Sequence, residues 1–174
     1  MLGPYKAFPE TIHGKAILRH NCPNKVLAKE VIQVMNELNA ENLEIDRKPL
    51  STPVNCTVRF EWGLSSGDGF VFLDVEETLR ILSLLEKGVP PMLDFYFVIL
   101  YHKIVGTQRT PLRFDYGFLR ILFFGNHVEM AVSHEKGPMR LPIDELLHLL
   151  AERIDRRLTN SRKGRLLSRK IWAV

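Results

Sequence analysis

The stretch Phe95–Tyr101 reads Phe-Tyr-Phe-Val-Ile-Leu-Tyr and is apolar on both phases of an extended chain. Successive side chains of a strand point to opposite faces, so such a segment must be covered on both and belongs inside a sheet. Its aromatic and β-branched residues favour strand over helix, and it is far shorter than the roughly 20 residues needed to span a bilayer. A fold for this chain is therefore organised around a central strand at about 95–104.

The other periodicities supply its neighbours. Ile12–Arg19 reads as a strand. Cys56, Val58, Phe60 and Trp62 alternate with Thr57, Arg59 and Glu61, the period of a half-buried strand. Ser65–Gly69 is a turn and Phe70–Leu73 the returning strand. A further strand over 113–124 turns at Gly125-Asn126 into a partner over 128–133. Leu27, Val31, Val34, Met35 and Leu38 form one helical stripe behind Asn24 as N-cap, predicting a helix over 25–38. The stretch 39–53, with Pro49 and Pro53, reads as a loop. Asp74 and Glu77 form a capping pattern for a second helix, which carries Leu79, Leu82 and Leu85 and stops at Gly88 before Pro90-Pro91. Pro142 opens a last helix whose stripe is Ile143, Leu146, Leu147, Leu150, Ile154 and Leu158.

The order is β-α-β-β-α-β followed by a hairpin and a helix. This predicts an α+β domain in which helices back an antiparallel sheet in the ferredoxin-like order. Residues 1–11 are expected as an irregular arm, 12–158 as the domain and 159–174 as a basic tail. Ten Phe, four Tyr and two Trp, with 45% apolar residues, argue against disorder. Two cysteines without a Cys-x-x-Cys pattern, and no recognisable secretory signal, point to a reduced, soluble, cytoplasmic protein.

Charge is concentrated at one end. Residues 151–174 carry eight basic residues against two acids, a net +6, whereas 1–150 carry 16 basic and 18 acidic residues, a net −2. A local positive field of this kind attracts polyanions, nucleic acid above all. The basic residues are Arg153, Arg156, Arg157, Arg162, Lys163, Arg165, Arg169 and Lys170. The leucine stripe docks the helix, so its arginines are expected as a fixed rim, and only the stretch beyond Gly164 as a free arm.

Two further places suit an anionic strand. Alternation over 113–124 puts Phe118, Arg120, Leu122 and Phe124 on one face, where Phe118 and Phe124 can stack bases and Arg120 can pair a phosphate. The opposing expectation is that the last helix covers this face and that Arg120 pairs with Glu61 or Glu129. Lys136 and Arg140 precede a helix N-terminus, where backbone N–H groups already favour anions. Ser66–Leu73 resembles the third-strand motif of the RNA-recognition-motif family at Gly67, Gly69, Phe70 and Val71. It lacks the basic residue at Ser66 and the stacking aromatic at Asp68, and a Gly-rich hairpin before a core strand accounts for the same residues.

No nucleotide, nucleophile-elbow or zinc-protease motif is present, and His134-Glu135 is a bare acid–base pair. His20-x-Cys22 is one ligand pair where structural zinc shows two, so no metal or cofactor is expected. The residues thus predict a binding protein for single-stranded DNA or RNA, without catalysis. The runner-up is an assembly subunit, homo-oligomeric or gripping an acidic protein partner. A third reading takes Leu166, Leu167, Ile171 and Trp172, interleaved with arginines, as an interfacial membrane helix.

Overall fold

The computed structural model describes residues 1–45 and 56–174. Its elements are β1 (Gly14–His20), α1 (Asn24–Ala40), β2 (Asn42–Ile45), β3 (Cys56–Ser65), β4 (Phe70–Phe72), α2 (Val75–Lys87), β5 (Met92–Val105), β6 (Gln108–Pro111), β7 (Asp115–Phe124), β8 (His127–Lys136), α3 (Ile143–Asn160) and β9 (Leu166–Ala173). Nine strands form one curled antiparallel sheet in the order β2-β3-β5-β7-β8-β1-β9, with β4 added to β3 and β6 to β5. The apolar stretch 95–101 lies in β5, flanked by β3 and β7 as its two-sided hydrophobicity requires.

One face of the sheet carries the core. Phe60, Trp62, Phe95, Phe97, Leu119, Ile121, Met130 and Val132 are buried there together with the stripes of the three helices. Each large apolar side chain buried this way is worth about 1.5–3 kcal/mol. Gly14 lets α3 approach β1, because a Cβ there would collide with Ile143. Asn39, at the end of α1, ties the helix layer to the sheet: its amide donates to the Trp62 and Leu73 carbonyls and its oxygen accepts from the Trp62 N–H at 2.6 Å.

Several expectations change. The ferredoxin-like order is not seen. Among the described residues all strand pairs are antiparallel, so they hold no parallel βαβ unit, and β1 lies between β8 and β9. The residues past Gly164, expected as a free arm or an interfacial helix, are β9, paired with β1 from Gly14↔Ala173 to His20↔Leu166. The run Ser168-Arg169-Lys170 in the middle of β9 hides a strand that is exposed along one edge and needs few apolar residues. Within 39–53, the described part holds α1's last turn and β2, which pairs with β3; the rest lies outside the described residues. Residues 108–111, between the strands predicted at 95–104 and 113–124, form β6. Pro23, not Asn24, is the N-cap of α1, and no side chain caps it. Asp74 caps α2 as expected, accepting from the Glu77 N–H at 2.8 Å, but Leu79 faces solvent while Thr78, Ile81 and Leu85 are buried.

Candidate functional site

The sheet face opposite the helices carries Phe118, Arg120, Leu122 and Phe124 on β7, as alternation predicts, with Tyr96 opposite Phe118 and Asp94 opposite Arg120 on β5. The last helix does not cover it. The first residues of the chain do, over part of its area. Gly3 donates to the Ser65 carbonyl and accepts from the Asp94 N–H, and Ser65 Oγ donates to the Pro4 carbonyl. Tyr5 then stacks on Phe118, with ring centroids 5.6 Å apart and planes at 18°, and Phe8 meets Phe118 edge-on. Arg120 makes two 2.8 Å bonds to the buried Asp94 carboxylate, not to Glu61 or Glu129, and its guanidinium lies 4.1 Å from the Phe8 ring centre. The Asp94 bonds raise the Arg120 pKa still further. Phe118 and Arg120 are thus engaged within the chain, whereas Phe124, at the far end of β7, is 57% exposed.

The basic residues of 151–174 divide in the same way. Arg153 forms a two-point pair with Glu41 at 2.9 Å, which raises its pKa. Arg157 donates to Glu30 and Glu37, and Lys163 reaches the same Glu30, which is only 3% exposed. Arg169 pairs with Asp155 on α3. These four pin α3 and its following turn to α1 and to β9. The missed signal was a charge pattern: Glu30 and Glu37 on α1, with Glu41 just past its end, complement Arg153 and Arg157 on α3. Arg156 has one loose contact, to Glu152, and Arg162, Arg165 and Lys170 are exposed.

Cross-strand register assembles what remains. Directly opposed residues of neighbouring strands share a face. Phe124 faces His127, which faces Arg19, which faces Ser168. In the next row Leu122, Glu129, Ile17 and Lys170 align, and in the following one Ala131, Lys15 and Trp172. The result is a strip across β7, β8, β1 and β9, on the same face as Phe118 but beyond the N-terminal residues, exposed at Phe124, His127, Arg19, Ser168 and Lys170 and half-buried at Trp172. Its cations are Lys15, Arg19 and Lys170, and its acid, Glu129, is paired with Lys15 at 3.0 Å. Lys170 Nζ sits 5.7 Å from the Trp172 ring centre, and the Arg165 backbone is tied to Asn21 at the end of β1. Arg19, Lys15 and His127 were not legible as site residues, because only the position of β9 places them beside Lys170 and Trp172.

Lys136 and Arg140 lie at the opposite end of β8 from this strip. Here Asp115, buried, accepts from Tyr101 Oη at 2.5 Å, from Met139 N at 2.6 Å and from Arg140 N at 3.2 Å, and lies 3.0 Å from His134 Nε2. Gly137 is in the left-handed region, φ 117°, where a side chain would collide with Asp115. The Arg140 guanidinium lies 6.0 Å from the Tyr101 ring centre. Burial, and then the Asp115 carboxylate, push the Tyr101 pKa well up. The His134 imidazole is therefore held by a carboxylate that also organises the loop into α3. Asp144 and Glu145 fill the first turn of α3, the place an anion would take.

His20 Nδ1 lies 2.9 Å from the Cys22 carbonyl oxygen and 3.7 Å from its sulfur. Burial lowers the His20 pKa and raises that of both Cys22 and Cys56, keeping all three neutral. Among the described residues no three His, Cys, Asp or Glu side chains gather as metal ligands, and no helix is long and apolar enough to cross a membrane. No family model, curated protein or solved structure matches the chain.

Proposed function

We propose that the protein binds single-stranded DNA or RNA along the strip of β7, β8, β1 and β9, without chemistry. The observation that carries this reading is the row-by-row placement of Arg19, Lys170, Phe124 and Trp172 on one sheet face. The exposed Phe124 ring and the half-buried Trp172 ring give bases a stacking surface worth about 1–3 kcal/mol each, and cations between them meet the phosphates. Arg165 and Arg162 extend the positive field past the end of β1. Arg153, Arg157, Lys163 and Arg169 support the surface from behind through their carboxylate partners. A sheet face on which rings and cations interleave suits a flexible single strand, whose bases are free to stack, better than a duplex.

Tryptophan fluorescence tests it. Trp62 is 0% exposed, so quenching by an oligonucleotide reports Trp172. Titration with oligothymidylate and oligouridylate should quench the signal, and Trp172→Phe should abolish the change. With two or three phosphates neutralised, log K should fall against log salt with a slope of about −2. No quenching at low salt, or an affinity indifferent to salt, would refute the proposal.

A second reading, an assembly subunit gripping an acidic protein or a second copy, is favoured by β9, whose outer edge is unpaired among the described residues. Under it an acidic peptide binds, an oligonucleotide does not, and nuclease treatment leaves captured partners in place.

A further inference from the structure

We infer that the sheet face carries a second base-stacking platform, built from Phe70, Tyr96, Phe118 and Arg120, which Tyr5 and Phe8 occupy until a single strand displaces them. The inference rests on the proposed nucleic-acid reading and extends the strip along the same face.

The geometry of the N-terminal segment is that of a bound ligand. Tyr5 lies nearly parallel to Phe118 in an offset stack and 4.7 Å from Phe70, and Phe8 lies against the Arg120 guanidinium. A nucleotide would use the same two contacts, ring on ring and ring on guanidinium. Beneath these rings Tyr96 lies 6.0 Å from Phe118 and 5.8 Å from Phe70. Of the acids in this region, Asp94 is neutralised by its two bonds to Arg120, while Glu61 lies near enough to Tyr96 to help burial raise its pKa.

The cover is partial and unevenly held. Phe70, Tyr96, Tyr116 and Phe118 all remain half-exposed with Tyr5 and Phe8 in place. The backbone anchors fall at residues 3–5 and again at His13, whose N–H donates to the Val132 carbonyl. Between them residues 6–12 form neither strand nor helix, and Phe8 is the side chain that closes over the face. Lys6 pairs with Asp68 only at the surface, where both are about four-fifths exposed. The segment over Phe8 and Arg120 can therefore lift without disturbing the core, which lies on the other face.

The test uses the full-length chain. Tyr5→Ala/Phe8→Ala empties the platform while leaving the backbone anchors, and should bind a long oligothymidylate on the order of tenfold more tightly, the worth of one added stacked base. Adding Phe118→Ala should remove that gain. A second measurement needs no variant: saturating oligothymidylate should speed tryptic cleavage after Lys6. If Trp172 is quenched but neither the gain nor the faster cleavage occurs, the platform is refuted and the strip stands. If neither wild type nor variant binds, both fall.

Discussion

Removing the Asp115 carboxylate should unhinge the loop that enters α3. Asp115→Ala leaves the Tyr101 hydroxyl, the Met139 and Arg140 amides and the His134 ring without their acceptor. A buried donor left unpaired costs about 1–3 kcal/mol. Tyr101 Oη is the fully buried member, and the other three lie in a partly buried loop that water can reach, so the sum falls at about 3–5 kcal/mol. Against a total of 5–15 kcal/mol typical of a domain, that is a large fraction. Urea unfolding should show the midpoint falling with the slope unchanged, and hydrogen exchange at Met139 and Arg140 should accelerate before exchange in β5. Asp115→Asn keeps the volume and one acceptor and should lie between the two proteins. A loss below about 1 kcal/mol, or exchange that rises uniformly over the molecule, would show that Asp115 does not hold the loop.

Burial and Asp115 raise the Tyr101 pKa in the folded state, so the neutral phenol contributes stability that is complete below its unfolded value of about 10 and is lost as pH rises from there towards the folded pKa. Alkaline unfolding should thus be steeper for the wild type than for Tyr101→Phe, as followed by circular dichroism across that range. The two arginine sets should separate: Arg157→Ala, which weakens the cover over the buried Glu30, should cost about 1–3 kcal/mol in urea. Arg19→Ala and Lys170→Ala should change stability by less than about 0.5 kcal/mol yet reduce oligonucleotide affinity and its salt slope. Truncation after Leu158 removes a whole strand from beside β1 and bares the buried Leu166 site, so thermal melting should fall by many degrees; an unchanged melt would show that β9 is dispensable to the fold.

Much of this architecture is legible in one-dimensional pattern. Phe95–Tyr101 announces an interior strand because both of its phases are apolar, and the helix stripes of α1 and α3 follow from side chains spaced three and four apart. What pattern cannot give is which strands become neighbours. β1 and β9 read as independent segments, and their pairing depends on a curl of the sheet that no local period encodes. The same holds for the surface. Phe118 and Arg120 were correctly assigned to a polar-aromatic face, yet the residues that lie on them come from the start of the chain. Arg153 and Arg157 look like ligands for phosphate until α1 and its C-cap supply Glu30, Glu37 and Glu41. Electrostatic partners, like strand neighbours, are a property of the assembled fold.

The place of β1 between β8 and β9 has a kinetic meaning. The first strand of the chain can complete neither of its ladders until residues beyond 127 and beyond 166 have been made, because its partners are that remote in sequence. Contacts so distant are slow to form, since a long loop must close before they yield any stability. The β3–β5–β7 region can assemble from nearer segments while β1 waits. The strip of Arg19, Lys170 and Trp172 is then the last surface to take shape, and an emerging chain would present its aromatic core strands well before it could hold a nucleic-acid strand.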